Sequence, residues 1–513
     1  MMSKRFYITT TLPYVNAEPH IGFALEIVQA DVLARYHRRK GDEVFFNTGT
    51  DEHGLKIYRK ALEEGMEPQA YCDQHAAKFD ELKQALNLSY NNFIRTTDDQ
   101  HIQAAQEFWR RCDANGDIYK KQYKITYCVG CELEKTKSEL IDDQCPLHPN
   151  LELETIEEEN YFFRYSKYQA QLLQLYEEIP NFVVPKHRLN EICQFTKQGL
   201  EDFSISRLKS KMPWGVPVPT DEEHVMYVWF DALVNYISAL GWPDDQEQFS
   251  AYWPGTQVAG KDNLRQQSSM WQAMLLSAGL PPSKQIFIHG FITVDGQKIS
   301  KSLGNVIDPF RIVQQYGTDA VRYYLLREIP TDGDGDWSEQ KFKTRYNAFL
   351  AHGLGNVVAR VLTLIETNQG QLKVKPDYRQ LQSNLLVRQA DFEIDTVWQR
   401  YQQHLDVLEL DQAIGEIWRL LADCDALIEQ EKPWQLAKDN SEKLSEVLYV
   451  LAETIRHVGW MLYPIMPQTA QIVLQSLGVF ELEEAQDFAT ITTWGGLKDF
   501  SAIKRPEVMF PRL

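Results

Sequence analysis

Three cysteines and one histidine lie close together in the sequence, at a spacing that suits a metal ion. Cys128 and Cys131 form a C-x2-C pair, and thirteen residues later Cys145 and His148 form a C-x2-H pair. Structural zinc is held tetrahedrally by four sulfur or nitrogen ligands at such spacings. Because four protein ligands leave no open position, the array predicts one structural zinc ion and not a catalytic metal.

A second motif, Pro19-His20-Ile21-Gly22, stands where a helix is predicted to begin. A helix N-terminus offers unpaired N–H groups and a positive dipole end, which favour a phosphate. The imidazole of His20 adds a donor, and Gly22 has no side chain, so a planar ring can approach the backbone. Taken alone, an incidental histidine at a helix start is the simpler interpretation.

A third motif, Lys298-Ile299-Ser300-Lys301-Ser302, lies 278 residues beyond His20, between two glycines. Two lysines on such a loop can bring positive charge onto a transferring phosphate, where placed cations stabilise the charge that develops. An ordinary basic surface loop is the alternative. The second and third motifs together are far more specific than either alone.

The elements around these motifs alternate between strand and helix. Residues 5–10 and 43–48 have strand-like composition and flank a predicted helix at residues 19–40, and such a β-α-β unit builds a parallel sheet. Beyond about residue 340 the pattern is almost wholly helical, with short connections typical of a bundle. Further strands are predicted at residues 226–230, 257–259 and 285–289.

Polar residues follow four of the predicted strands. Ligands of open parallel sheets bind beyond the carboxyl ends of the strands, so four polar runs at this edge predict a binding site. The runs are residues 10–14, 49–54, 260–262 and 289–290.

We therefore predict an α/β protein whose Rossmann-like catalytic domain is split by a zinc-binding insertion and followed by an all-α helix bundle. The two catalytic halves are predicted at residues 1–115 and 224–340. The insertion with its zinc knuckle is predicted at residues 116–223, and the helical domain at residues 341–513.

Composition and charge bear on which partners the protein binds and where in the cell it is located. The net charge of −19 argues weakly against nucleic-acid binding. The one dense basic run, residues 35–40, is interpreted as a solvated helix end, with a nucleic-acid surface as the alternative. No stretch approaches the ~20 apolar residues of a membrane span, and the N-terminus lacks the apolar core of a signal peptide. A cytoplasmic protein without a membrane partner is expected.

The two phosphate-handling motifs resemble the HIGH and KMSKS signatures of class I aminoacyl-tRNA synthetases. Further runs are similar to the methionine-specific members of that family, and the similarity extends over nearly the whole chain. It implies activation of methionine with ATP to methionyl-adenylate and transfer to tRNA(Met), including the initiator tRNA. These runs are residues 11–14, 49–54, 202–207, 227–232, 289–291 and 316–322.

The resemblance also implies roles for matching residues. Catalysis, with Mg-ATP as substrate, is expected of His20, Lys298, Lys301 and Arg207. ATP contacts are expected of Pro19, His20, Gly22, Lys298, Ser300 and Lys301. Methionine contacts are expected of Leu12, Tyr14, Asp51, Trp229, Tyr236 and His289, with Asp51 on the α-ammonium group. Anticodon contacts are expected of Asn356, Arg360 and Trp434, although core packing is an equally good reading of Trp434 on the residue alone.

Two positions depart from the family pattern. The family often has a second histidine in place of Phe23, and a Phe-His pair where this chain has Gln266-Gln267. Three other functions stay open: a sister synthetase of altered specificity, an HxGH-type nucleotidylyltransferase, and a non-catalytic tRNA-binding paralogue. The insertion is too short for the hydrolytic editing domain of the valine, isoleucine and leucine enzymes. A chain ending at Leu513 without a dimerisation module is expected to be a monomer.

Overall fold

The computed structural model describes residues 4–131, 133–135, 140–299, 304–369, 385–439, 441–480, 487–497 and 500–513. At its centre lies a six-stranded sheet in which every neighbouring pair of strands is parallel. The strand order reverses beside the first strand, which creates the switch point where ligands of such sheets bind. Across the sheet the strands are Asn92–Arg95, Glu43–Thr50, Arg5–Thr10, Thr256–Gly260, Gln285–His289 and Val183–Val184.

Helices connect these strands and pack against the sheet. The first helix, Ile21–Arg39, confirms the predicted β-α-β unit, and most of its residues are buried. A π-helical segment, Gln266–Met270, precedes the helix Trp271–Ser277. The other helices of this part are Leu55–Glu63, Pro68–Ala85, Asp99–Ala114, Val228–Ala232, Asn235–Ser238, Gln246–Tyr252, Pro309–Tyr316 and Thr318–Arg327.

The prediction of a strand at residues 226–230 is wrong. The strand Asp221–Met226 ends there, and Val228–Ala232 is a short helix in which the N–H of Asp231 donates to the carbonyl of Tyr227. A short apolar run without polar alternation fits a buried strand and a buried helix equally well, so its composition misled the prediction.

Between the two halves of the central sheet the chain forms two small antiparallel sheets. The short strand Val183–Val184, however, returns to the edge of the central sheet, so the predicted insertion is not wholly separate from the catalytic domain. The first small sheet contains Leu133–Lys135, Ile118–Cys128, Glu154–Phe163 and Phe203–Ser204, and the second contains Pro217–Val218, Asp221–Met226 and Ser206–Leu208. The helices here are Gln169–Glu178 and Lys186–Lys197.

A third small sheet follows the strand that ends at His289. Its strands are Gln297–Lys298, Ile292–Val294 and Gly335–Trp337, and the first of them contains the first lysine of the KMSKS-like motif. Ile299 of that motif is described, whereas Ser300, Lys301 and Ser302 lie outside the described residues.

The C-terminal part is helical, as predicted. The continuous helical stretch Glu339–Asn368 is long and apolar enough, by length and composition alone, to cross a membrane. Its buried side chains, such as Leu354 and Val358, share one apolar core with the neighbouring helices, as in the core helix of a globular domain. The C-terminal helices are Glu339–Arg345, Tyr346–Gly355, Asn356–Asn368, Leu385–Asp406, Leu410–Glu431, Pro433–Asp439, Ser441–Leu462, Pro467–Ser476 and Phe488–Thr492.

The C-terminal domain covers the end of the first helix, so the interpretation of residues 35–40 as a solvated helix end is wrong for Arg39. This arginine is buried, and its guanidinium lies 4.7 Å from the ring centre of Trp460 and 4.5 Å from that of Tyr463. Cation–π contacts of this kind become stronger when water is excluded. The basic run therefore helps to join two domains.

Candidate active site

The loops that follow the first two strands run side by side at the switch point. The backbone N–H of Asp51 donates to the carbonyl of Pro13 at 3.0 Å, and that of Val15 donates to the carbonyl of Asp51 at 3.2 Å. These bonds hold Tyr14 and Asp51 as paired neighbours. Two groups expected to bind methionine, one aromatic and one carboxylate, are thereby placed together by backbone hydrogen bonds between their loops.

Tyr236, another predicted methionine contact, is buried beside Gln267, one of the residues that differ from the family pattern. The Gln267 side-chain amide donates to the Tyr236 hydroxyl at 2.6 Å, and the Tyr7 hydroxyl donates to the Tyr236 carbonyl at 2.9 Å. Burial raises the pKa of Tyr236 well above its ordinary value, so the phenol stays neutral. Gln267 thus orients the hydroxyl of a predicted pocket residue, and Trp229 packs against the same apolar core.

His289 is engaged through both ring nitrogens. Nε2 faces the carboxylate of Glu26 at 3.0 Å, and Nδ1 donates to the carbonyl of Gly290 at 2.7 Å. Burial opposes a charge on His289, but Glu26 and the Gly290 carbonyl together raise its pKa above its ordinary value. The ring can therefore offer methionine only its face or edge, and its role in binding stays a prediction.

Glu26 is a residue that motif reasoning missed. Its other carboxylate oxygen accepts from the backbone N–H of Thr11 at 2.8 Å and from the Thr11 hydroxyl at 2.5 Å. It thus connects the first helix to the loop of Leu12 and to the strand of His289. An acidic residue on the buried face of an apolar helix was the available signal, because buried charges are found paired.

His20 caps the first helix. Its Nδ1 accepts from the backbone N–H of Gly22 at 3.1 Å, so Nε2 carries the proton of the neutral ring and is the donor nitrogen. A Cβ atom on Gly22 would lie 2.9 Å from the His20 ring, so a larger residue here would push the capping imidazole aside. Pro19 is buried directly before this exposed histidine.

The segment that follows the KMSKS-like motif reaches this helix end. The backbone N–H of Ile21 donates to the carbonyl of Ile307 at 3.0 Å, five residues beyond the KMSKS-like motif. Lys298 is exposed, and its carbonyl accepts from the Asn305 side-chain amide at 3.0 Å. Ser300 and Lys301 lie outside the described residues, so their expected ATP contacts stay predictions.

Phe23 and Arg207 are both placed by aromatic contacts. Phe23 packs edge-to-face on Phe79, with ring centres 5.5 Å apart, so this chain uses the position of the family's second histidine for packing. Arg207 is buried, donates to the Ser206 carbonyl at 2.7 Å, and lies 4.6 Å from the ring centre of Tyr227. Its catalytic role stays a prediction.

The four predicted metal ligands converge. Their ligand atoms all lie within 4.8 Å of one another, and Cys131 Sγ is 3.2 Å from His148 Nδ1 and 3.5 Å from Cys145 Sγ. Ligands of a tetrahedral zinc ion stand about 3.8 Å apart, so the cluster has the right size to hold a metal. A Cβ on Gly130 would lie 2.5 Å from the His148 ring, so this close turn requires glycine.

The predicted anticodon residues lie on one surface of the helical domain. Asn356 and Arg360 share the helix Asn356–Asn368, and the Arg360 guanidinium lies 5.8 Å from the ring centre of Trp434. The side chain of Trp434 is 43% exposed, which contradicts the core-packing alternative. Glu429 accepts from Arg360 at 2.6 Å and holds it beside the ring.

The parallel sheet with its switch-point site and the helical domain define a class I aminoacyl-tRNA synthetase. The family model described as tRNA synthetases class I (M) matches residues 6–152 and 134–362, and that of the anticodon-binding domain of methionyl tRNA ligase matches residues 384–513. The chain belongs to the methionine–tRNA ligase family.

Individual relatives agree with this assignment. The methionine–tRNA ligase of Thermosynechococcus vestitus is 43% identical, over 100% of this chain and 98% of its own length. That of Thermotoga maritima is 42% identical, over 99% of this chain and 80% of its own length. The Mycobacterium tuberculosis methionyl-tRNA synthetase in complex with methionyl-adenylate superimposes with a TM-score of 0.93 at 37% identity, covering 99% of this chain and 100% of that one.

Proposed function

We propose that this chain activates methionine with ATP and transfers it to the terminal ribose of tRNA(Met), including the initiator tRNA. The observation that supports this proposal best is the hydrogen bond from Ile21 to Ile307, which brings the segment just beyond the KMSKS-like motif to the N-terminus of the first helix. That helix end lies at the switch point, beside the loops of Tyr14 and Asp51, so phosphate-binding and amino-acid-binding groups share one site.

The reaction needs no protein nucleophile. A carboxylate oxygen of methionine attacks the α-phosphorus of ATP, the bond to the leaving oxygen breaks, and pyrophosphate departs. Asp51 binds the α-ammonium group and orients the amino acid, while His20, Lys298 and Lys301 stabilise charge on the phosphates. Magnesium arrives with ATP and neutralises further charge. Catalysis is therefore positioning and electrostatic stabilisation.

Amino-acid-dependent exchange of pyrophosphate into ATP, run separately with all twenty amino acids, tests this function. We expect exchange with methionine alone. Exchange with leucine or valine but not methionine would show a synthetase of altered specificity. Binding of tRNA without any exchange would show a non-catalytic paralogue. The anticodon-domain match argues against a nucleotidylyltransferase, which has no use for such a domain.

The role of Lys301 can be tested in the same assay. If its ammonium group meets the phosphates chiefly in the transition state, Lys301→Ala should lower kcat with little change in the KM for methionine. We expect a loss of more than tenfold, which corresponds to more than ~1.4 kcal/mol. An unchanged kcat would remove Lys301 from the mechanism, and Lys443→Ala, on a distant helix, serves as a control for loss of one lysine.

We further propose that the metal at Cys128, Cys131, Cys145 and His148 is zinc, because three sulfur ligands and one nitrogen ligand suit that ion. Elemental analysis of chelator-washed protein should find one zinc per chain. Cys145→Ser should lower that content and disorder the knuckle, since binding energy in such sites is folding energy. Cys193→Ser, outside the cluster, should leave zinc unchanged. A wild-type protein without zinc contradicts the proposal.

Anticodon recognition is proposed for Trp434, whose exposed ring is available to stack on a base. Trp434→Ala should lose about 1 to 3 kcal/mol of tRNA interaction, the usual scale of base–aromatic stacking. The loss should appear in aminoacylation. It should be absent from methionine-dependent pyrophosphate exchange without tRNA, because the catalytic site is untouched.

Two further variants check this interpretation. Trp434→Phe keeps a stacking ring and should retain most of the aminoacylation activity. Trp460→Ala removes a buried tryptophan and should lower the Tm together with both activities. If Trp434→Ala behaves like Trp460→Ala, its role is packing and the anticodon proposal for this residue is wrong.

We also propose that the enzyme acts as a cytoplasmic monomer. Sedimentation equilibrium should give a mass near the 59.6 kDa of one chain, and a mass of twice that value would contradict the monomer.

A further inference from the structure

A buried carboxylate beside the candidate site holds two histidines from distant parts of the chain. Asp231 Oδ2 lies 2.6 Å from His53 Nδ1, and Asp231 Oδ1 lies 2.8 Å from His101 Nε2. The other ring nitrogen of His101 lies 2.9 Å from the Ser238 hydroxyl. Asp231 and His101 are 0% exposed and His53 is 4% exposed.

This cluster joins two elements that are expected to bind the amino acid. His53 follows Asp51 by two residues on the loop after the second strand. Asp231 follows Trp229 by two residues on the helix Val228–Ala232. The carboxylate–imidazole contact therefore fixes the loop of the ammonium ligand against the helix of the aromatic wall.

Glu52, the residue between Asp51 and His53, is anchored to a different element. Glu52 is fully buried, and its carboxylate accepts from Arg95 at 2.7 and 2.9 Å, on the neighbouring strand Asn92–Arg95. Asp51 thus stands beside two residues whose side chains are tied to different elements. Removing either anchor would let the loop relax, because a charged hydrogen bond in a buried setting is strong and its loss is not replaced by water.

The negative charge of Asp231 strengthens its hydrogen bonds with His53 and His101. Burial alone would raise the pKa of Asp231, but the charge of His53 and the hydrogen bonds from both imidazoles hold it at about 2. The carboxylate is therefore ionised at neutral pH and accepts from both rings.

We propose that Asp231 is a positioning residue, which acts through His53 to place Asp51 against Trp229 and so sets the affinity for the amino-acid substrate. This inference rests on the proposed function above. Asp231 does not touch the reacting atoms in this mechanism, so its removal should affect methionine binding far more than the rate of phosphoryl-bond cleavage.

The test is pyrophosphate exchange with four variants, in which the KM for methionine, the KM for ATP, kcat and Tm are measured for each. Asp231→Asn keeps the shape but offers one donor and one acceptor where two acceptors are needed. It should raise the KM for methionine about tenfold or more, with less than about threefold change in kcat and in the KM for ATP. His53→Gln removes the imidazole on the side of the loop that holds Asp51, together with its ring contact to Trp214. It should give the same rise in the KM for methionine with little change in kcat.

Two matched variants separate positioning from general stability. His101→Gln also removes one imidazole from Asp231, but on the helix Asp99–Ala114, which has none of the proposed ligands, so its effect on the KM for methionine should be smaller. Glu453→Gln alters an equally buried carboxylate beside Arg456 in the C-terminal domain. It should lower Tm and leave the KM for methionine unchanged.

The proposal is overturned if His53→Gln raises the KM for methionine no more than His101→Gln does, or if KM and kcat follow Tm alike in all four variants. Should Asp231→Asn fail to fold, the comparison of the two histidine variants still decides. A wild-type protein without methionine-dependent exchange would instead refute the proposed function, so the two failures are distinguishable.

Discussion

The parallel pairing of the first strand with its two neighbours is the constraint on which the rest of the site depends. Ile8 is opposite Thr256 on one side, and Thr9 is opposite Asn47 on the other. A one-residue slip would turn every side chain to the other face of the sheet. Buried polar contacts oppose such a slip, since Thr10 and Thr48 share a hydrogen bond of 2.8 Å. With this register fixed, loops far apart in sequence end at one edge.

The first helix connects that edge to the C-terminal domain. His20 caps its N-terminus at the site, Glu26 inside it binds His289, and Asp31 further along receives Arg322 at 2.8 Å. Arg322 is fully buried and also donates to the carbonyls of Pro464 and Ile465 in the C-terminal domain, at 2.9 and 2.8 Å. The first helix therefore links the proposed adenylate site to the C-terminal domain through buried hydrogen bonds and ion pairs.

Local patterns predicted the elements well, because strand and helix periodicities are local properties. The strand Gln285–His289 and the convergence of Cys128, Cys131, Cys145 and His148 are confirmed. A strand was predicted in place of a helix after Met226, where the sequence has no alternation of polar and apolar residues. Contacts between distant segments were missed: nothing near Asp231 in sequence indicates that His53 and His101 will surround it, and nothing near Arg39 indicates the rings of Trp460 and Tyr463. These depend on how the domains pack.

Packing also explains how a chain with net charge −19 can bind ATP and RNA. Three buried acidic residues near the site have fixed hydrogen-bond partners: Glu26 has Thr11 and His289, Glu52 has Arg95, and Asp231 has two imidazoles. At short range a bound partner cancels most of the field of a buried carboxylate, and exposed acids farther away are screened within a Debye length of about 8 Å. We therefore propose that an approaching phosphate meets mainly the helix N-terminus, the His20 donor and Lys298. Local pairing, and not the total charge, decides which polyanions this protein can hold.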